Sequence, residues 1–89
     1  MEVEKSAGPQ SILLVEDDEI LAEVVAEALG TVADVTWAGS AERALELLPQ
    51  VRWDLIVADI ELPEANGIEF IGAAKDHDPA VSTLIISGR

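Results

Sequence analysis

The sequence predicts an α/β fold, a parallel sheet with helices on both faces, and three observations carry that expectation. Two short apolar runs, Ile12-Leu13-Leu14-Val15 and Leu55-Ile56-Val57-Ala58, have strand length and no polar alternation, as expected of strands buried on both faces. Amphipathic helical patterns lie between and after them. Each run also ends abruptly in acid, Glu16-Asp17-Asp18 and Asp59. That places carboxylates at strand C-terminal ends, the edge where open α/β sheets bind ligands.

The elements follow in order. Met1 to Ser11 is polar, contains Gly8-Pro9 and reads as a flexible N-terminal tail, leaving residues 12–89 as one domain. Ile12 to Glu16 is the first strand. Asp18 or Asp17 caps a helix whose apolar residues Ile20, Leu21, Val24, Val25, Ala28 and Leu29 recur at helical spacing, with Gly30 placed to end it. Val32 to Trp37 is a second, less regular strand. Ser40 caps a short helix with Ala41, Ala44, Leu45 and Leu48 inward, closed by Pro49. Leu55 to Asp59 is the third strand, and the loop from Ile60 to Asn66 contains Leu62-Pro63. Gly67 opens a third helix with Ile68, Ile71 and Ala74 on one face. Asp78-Pro79 breaks it, and Val81 to Ser87 is a fourth strand. The resulting βαβαβαβ order implies parallel strands joined by right-handed crossovers.

Composition narrows the function. Eighty-nine residues, 49 % hydrophobic and 26 % charged, suit one globular core. A formal net charge of −13 disfavours nucleic acid and anionic membrane and favours cations and basic partner surfaces. The absence of cysteine excludes disulfides, zinc–thiolate sites and thiol nucleophiles. Met1 to Ser11 lacks the apolar stretch of a signal peptide and no run reaches membrane-spanning length, so a cytoplasmic location is expected. Carboxylates gathered at one sheet edge repel one another, and a hard cation with oxygen ligands, Mg²⁺, relieves that repulsion and points to phosphate chemistry. Each acidic motif alone also has a structural reading: Glu16 to Glu19 complement a helix N-terminus, and Asp59 can cap a loop. His77 reads as a solvated helix-end residue, and Trp37 and Trp53 as packing or strand-edge residues.

Taken together, three motifs resemble the receiver domain of two-component response regulators, the flavodoxin-like, CheY-like fold. They are Ile-Leu-Leu-Val-Glu16-Asp17-Asp18-Glu19, then Asp54-Leu-Ile-Val-Ala-Asp59-Ile-Glu-Leu-Pro63 with Asn66-Gly67, and Leu84-Ile-Ile-Ser87-Gly88. The resemblance implies a signalling module rather than an enzyme, in which Asp59 accepts a phosphoryl group from a sensor histidine kinase or phosphotransfer protein. It implies Mg²⁺ bound by Asp17 directly, by Glu16 through water, by Asp59 and by the main-chain carbonyl of Glu61. Ser87 becomes the switch hydroxyl that moves toward the phosphoryl oxygens.

The sequence also departs from the family pattern. A lysine at the end of a fifth strand, that strand itself and the last two helices have no counterpart among residues 12–89, so the expected receiver domain is partial. Lys75 is a poor substitute, because eight residues of helix put it roughly 12 Å from Gly67. Arg89 and Glu61 occupy positions that in the family tune the lifetime of the phosphoryl group. The fourth strand, holding Leu84, Ile85 and Ile86, is expected to be an unpaired edge open to self-association. Two other functions remain open at this point. One is a receiver-like interaction or oligomerisation module that is not phosphorylated; the other is a Mg²⁺-dependent phosphohydrolase using an aspartyl nucleophile.

Overall fold

The computed structural model describes residues 10–59 and 67–86. Its order is β1 (Gln10–Val15), α1 (Glu19–Leu29), β2 (Ala33–Ala38), α2 (Ala41–Leu47) running into a 3-10 turn (Leu48–Gln50), β3 (Leu55–Asp59), α3 (Gly67–His77) and β4 (Ser82–Ile86). All strand pairs are parallel, and the order across the sheet is β2-β1-β3-β4. The predicted α/β class and alternation are therefore observed.

Period-two geometry explains why the two apolar runs tolerate no polar residue. Successive side chains alternate between faces. Ile12, Leu14 and Val57 pack with Ala22, Val25, Ala26 and Leu29 of α1 on one face. Leu13, Val15, Ile56 and Ala58 pack on the other with Ala41, Ala44 and Leu48, and with Phe70 and Ala74 of α3. Leu13 and Leu14 are wholly buried, worth roughly 1.5–3 kcal/mol each in transfer free energy. Trp53 adds an anchor beneath α2, its indole N–H donating to the Leu47 carbonyl at 3.1 Å.

Several expected details differ. β1 begins two residues before Ile12, because Gln10 and Ser11 pair in register with Ala33 and Asp34. The Ser11 amide also donates to the Asp54 side chain at 2.8 Å while the Asp54 amide returns a bond to the Ser11 carbonyl. β2 is shifted by one residue, from Val32–Trp37 to Ala33–Ala38; Val32 is exposed and Ala38 buried. In α1 the inward stripe is Ala22, Val25, Ala26 and Leu29, whereas Ile20 and Val24 are exposed. The small alanines let the helix approach the sheet, while Val24 and Ala28 line an open groove beside Leu84 and Ile86 of β4. Leu45 and Ile68 are likewise exposed; Leu47 and Phe70 pack inward in their place. Pro49 lies inside the 3-10 turn, two residues beyond the end of α2. β4 is one residue shorter than expected at its start, with Val81 buried just before it. Gly30 ends α1 in a right-handed conformation, donating to the Ala26 carbonyl at 2.7 Å. A Cβ there would lie 2.9 Å from that carbonyl oxygen, so close approach explains this glycine.

Candidate functional site

Parallel pairing of β1 with β3 places Val15 opposite Ala58. The next residue of each chain segment is an acid, Glu16 on one side and Asp59 on the other. Both carboxylates are buried, at 0 % and 1 % exposure, and Asp17 joins them closer to solvent. Ligand oxygens of Glu16, Asp17 and Asp59 all lie within 4.8 Å of one another. Two unit charges about 4 Å apart repel by roughly 4 kcal/mol at the effective dielectric of a protein surface. The fold holds this repulsion because the core on both sheet faces fixes the strands that carry the acids.

Local hydrogen bonds set the loop between β1 and α1. The Glu16 amide continues the sheet one rung beyond Val15, donating to the Ala38 carbonyl at 3.1 Å. The Asp18 amide donates to Glu16 Oε2 at 3.0 Å. Asp18, in extended conformation, is the N-cap, its Oδ1 accepting from the Ile20 and Leu21 amides at 3.0 and 3.2 Å. Of the two caps the sequence offered, Asp18 takes the role, and Asp17 belongs to the cluster. Burial above all raises the pKa of Glu16 over its ordinary 4.5; the neighbouring charges of Asp59 and Asp17 push the same way, and the Asp18 amide opposes them.

Three of the five expected site residues are thus brought together. Glu61 and Ser87 lie outside the described residues, as do Arg89 and the Ile60–Asn66 loop. Lys75 is engaged elsewhere, donating to the Val81 main-chain carbonyl. His77 ends α3. One further contact is not legible in the chain's spacing: Trp37, on β2, donates its indole N–H to the Glu16 carbonyl at 2.7 Å. An edge-strand aromatic has no periodic signature for such a bond, which depends on how β2 pairs.

The chemistry of the donor set suits a small, hard divalent cation. Three carboxylates and no nitrogen or sulfur ligand fit Mg²⁺, which keeps several waters and takes few protein oxygens. Among the described residues no helix is long and apolar enough to cross a membrane.

Comparison with known proteins bears on the same region. The family model of the response regulator receiver domain matches residues 12–89. A probable transcriptional regulatory protein of Mycobacterium tuberculosis, TcrX, is 28% identical over 82 residues, covering 91% of this chain and 35% of that protein. A CheY-like receiver domain protein from Methanospirillum hungatei superposes with a TM-score of 0.88 at 24% identity, over 92% of this chain and 66% of that one. The response regulator TrrA from Thermotoga maritima, solved in complex with Mg(2+)-BeF, gives 0.84 at 25% identity, over 90% of this chain and 70% of that one. The chain thus spans about a third of the curated relative and about two thirds of the solved structures.

Proposed function

Since the chain belongs to the response regulator receiver domain family of two-component phosphorelay signalling, we propose that it accepts a phosphoryl group on Asp59, with Mg²⁺ held by Glu16, Asp17, Asp59 and the main-chain carbonyl of Glu61. The observation that carries this reading is the convergence of Glu16, Asp17 and Asp59 within 4.8 Å at the C-terminal edge of a parallel sheet. The Mg²⁺–BeF complex of TrrA supports it by likeness.

In the proposed step an Asp59 carboxylate oxygen attacks the phosphorus of a phosphohistidine on a sensor kinase or phosphotransfer protein. The P–N bond breaks as the P–O bond forms, and the leaving imidazole nitrogen keeps the electron pair and takes a proton. Bound Mg²⁺ supplies charge neutralisation for the phosphoryl oxygens. The chain itself orients Asp59 at the end of β3 and shields it from bulk water, because the carboxylate is 1 % exposed. Transfer of this loose, in-line kind asks mainly for positioning and electrostatics. Ser87 is the proposed switch hydroxyl, donating to the new phosphoryl oxygens and so coupling phosphorylation to the end of β4. On this reading the module signals from the cytoplasm and has no turnover of its own as its output. A second copy of the chain is a further proposed partner, docking on the exposed edge of β4.

Acetyl phosphate with Mg²⁺, followed by borohydride reduction and peptide mapping, tests the assignment. The expected product is a modification confined to Asp59. Labelling of another residue, or cleavage of the donor without labelling, would contradict it.

A further inference from the structure

The β1–β2 ladder ends where the acidic site begins. Val15 pairs with Ala38, and the Glu16 amide reaches the Ala38 carbonyl. Among the described residues β2 is one edge of the sheet, and its Trp37 reaches this end of β1 from a side chain. Its Nε1 donates to the Glu16 oxygen at 2.7 Å, at the short end of the range for such bonds. Trp37 pairs in register with Leu14, which packs on the α1 face, and its ring lines the same cavity as Ile20, Ala22 and Ala26 of α1. One indole on β2 therefore bonds the β1–α1 loop and shares a cavity with the first turns of α1. The loop it holds carries two of the three clustered carboxylates.

We infer that Trp37 is a positioning residue for the cation site: by fixing the Glu16 main chain it sets where the Glu16 and Asp17 carboxylates stand relative to Asp59. The inference rests on the reading of this cluster as a Mg²⁺ site. Mg²⁺ would require near-octahedral oxygen coordination at about 2.0–2.1 Å from its direct ligands, so freedom in the loop that carries Glu16 and Asp17 would cost affinity. Trp37 is 43 % exposed, so its ring contributes less to the core than that of Trp53, at 6 %. Its distinctive contribution is the N–H.

Calorimetric titration of the whole chain with Mg²⁺ tests this, using the unaltered protein, Trp37→Phe and Trp53→Phe. Trp37→Phe keeps an aromatic ring and removes the donor; Trp53→Phe removes the other indole N–H, which is bonded to Leu47 far from the acids. The expected result is Mg²⁺ affinity at least threefold weaker in Trp37→Phe and unchanged in Trp53→Phe, although Trp53→Phe lowers the melting temperature more. Equal affinity in all three proteins overturns the inference while leaving the Mg²⁺ site standing. No Mg²⁺ binding by the unaltered protein overturns both. Should Trp37→Phe fail to fold, Trp53→Phe carries a single indole beside the site. Its emission is expected to change on saturation with Mg²⁺, and constant emission while calorimetry records binding overturns the inference.

Discussion

Among the described residues Glu16 carries the sharpest conflict between burial and charge. Its carboxyl is wholly buried, and burial, helped by Asp59 and Asp17, raises its pKa above 4.5. Between 4.5 and that raised value the folded chain binds more protons than the unfolded one, so stability falls as pH rises through this window. In the presence of a chelator, thermal melts are expected to show the protein gaining stability as pH is lowered across the window. Glu16→Gln removes the titrating group and is expected to flatten that dependence; an equally steep dependence in the variant would assign it to other groups. Mg²⁺ needs deprotonated ligands, so its affinity is expected to drop over the same range. Glu16, Asp17 and Asp59 were legible from sequence because each acid directly follows or closely trails an apolar run whose strand assignment was secure. The Trp37 bond was not, because it depends on strand pairing rather than on spacing along the chain.

Helix ends and helix faces differed in how readily they could be read. Capping chemistry is local, and both predicted caps are found: Asp18 on α1 and Ser40 on α2. Ser40 Oγ accepts from the Arg43 amide at 3.1 Å at the start of a helix of only seven residues. Ser40→Ala is expected to cost about 1 kcal/mol, read as a lower midpoint in urea with an unchanged slope. No change in midpoint would mean that packing of Ala41 and Ala44 alone holds the helix start. Helix faces are less local. In α1 the expected Val25 and Leu29 do pack on the sheet, joined by Ala22 and Ala26, while the expected Ile20 and Val24 are exposed. Alanine at the contact allows close helix-on-sheet approach, which spacing alone does not reveal. In α3 the expected Ala74 and Ile71 pack inward together with Phe70, while Ile68 is exposed.

For the molecule as a whole, one apolar groove runs between α1 and β4, lined by Val24, Val25, Leu84 and Ile86. Among the described residues β4 is the other edge of the sheet, with Leu84 53 % and Ile85 38 % exposed, and Val24 of α1 is exposed across the groove that Leu84 lines. An edge of this kind invites pairing, while the net charge of −13 opposes it. Self-association is therefore expected to strengthen as salt screens the charge, and Ile85→Lys is expected to suppress it. Light scattering that reports a monomer at every ionic strength would count against a second copy as partner. The central claim concerns the acidic end of the sheet, and intact mass spectrometry after incubation with acetyl phosphate tests it most directly. One phosphoryl adduct is expected, dependent on Mg²⁺ and absent from Asp59→Asn. A folded chain that acquires no adduct, or one that acquires it equally in Asp59→Asn, would contradict a phosphoacceptor site built on Glu16, Asp17 and Asp59.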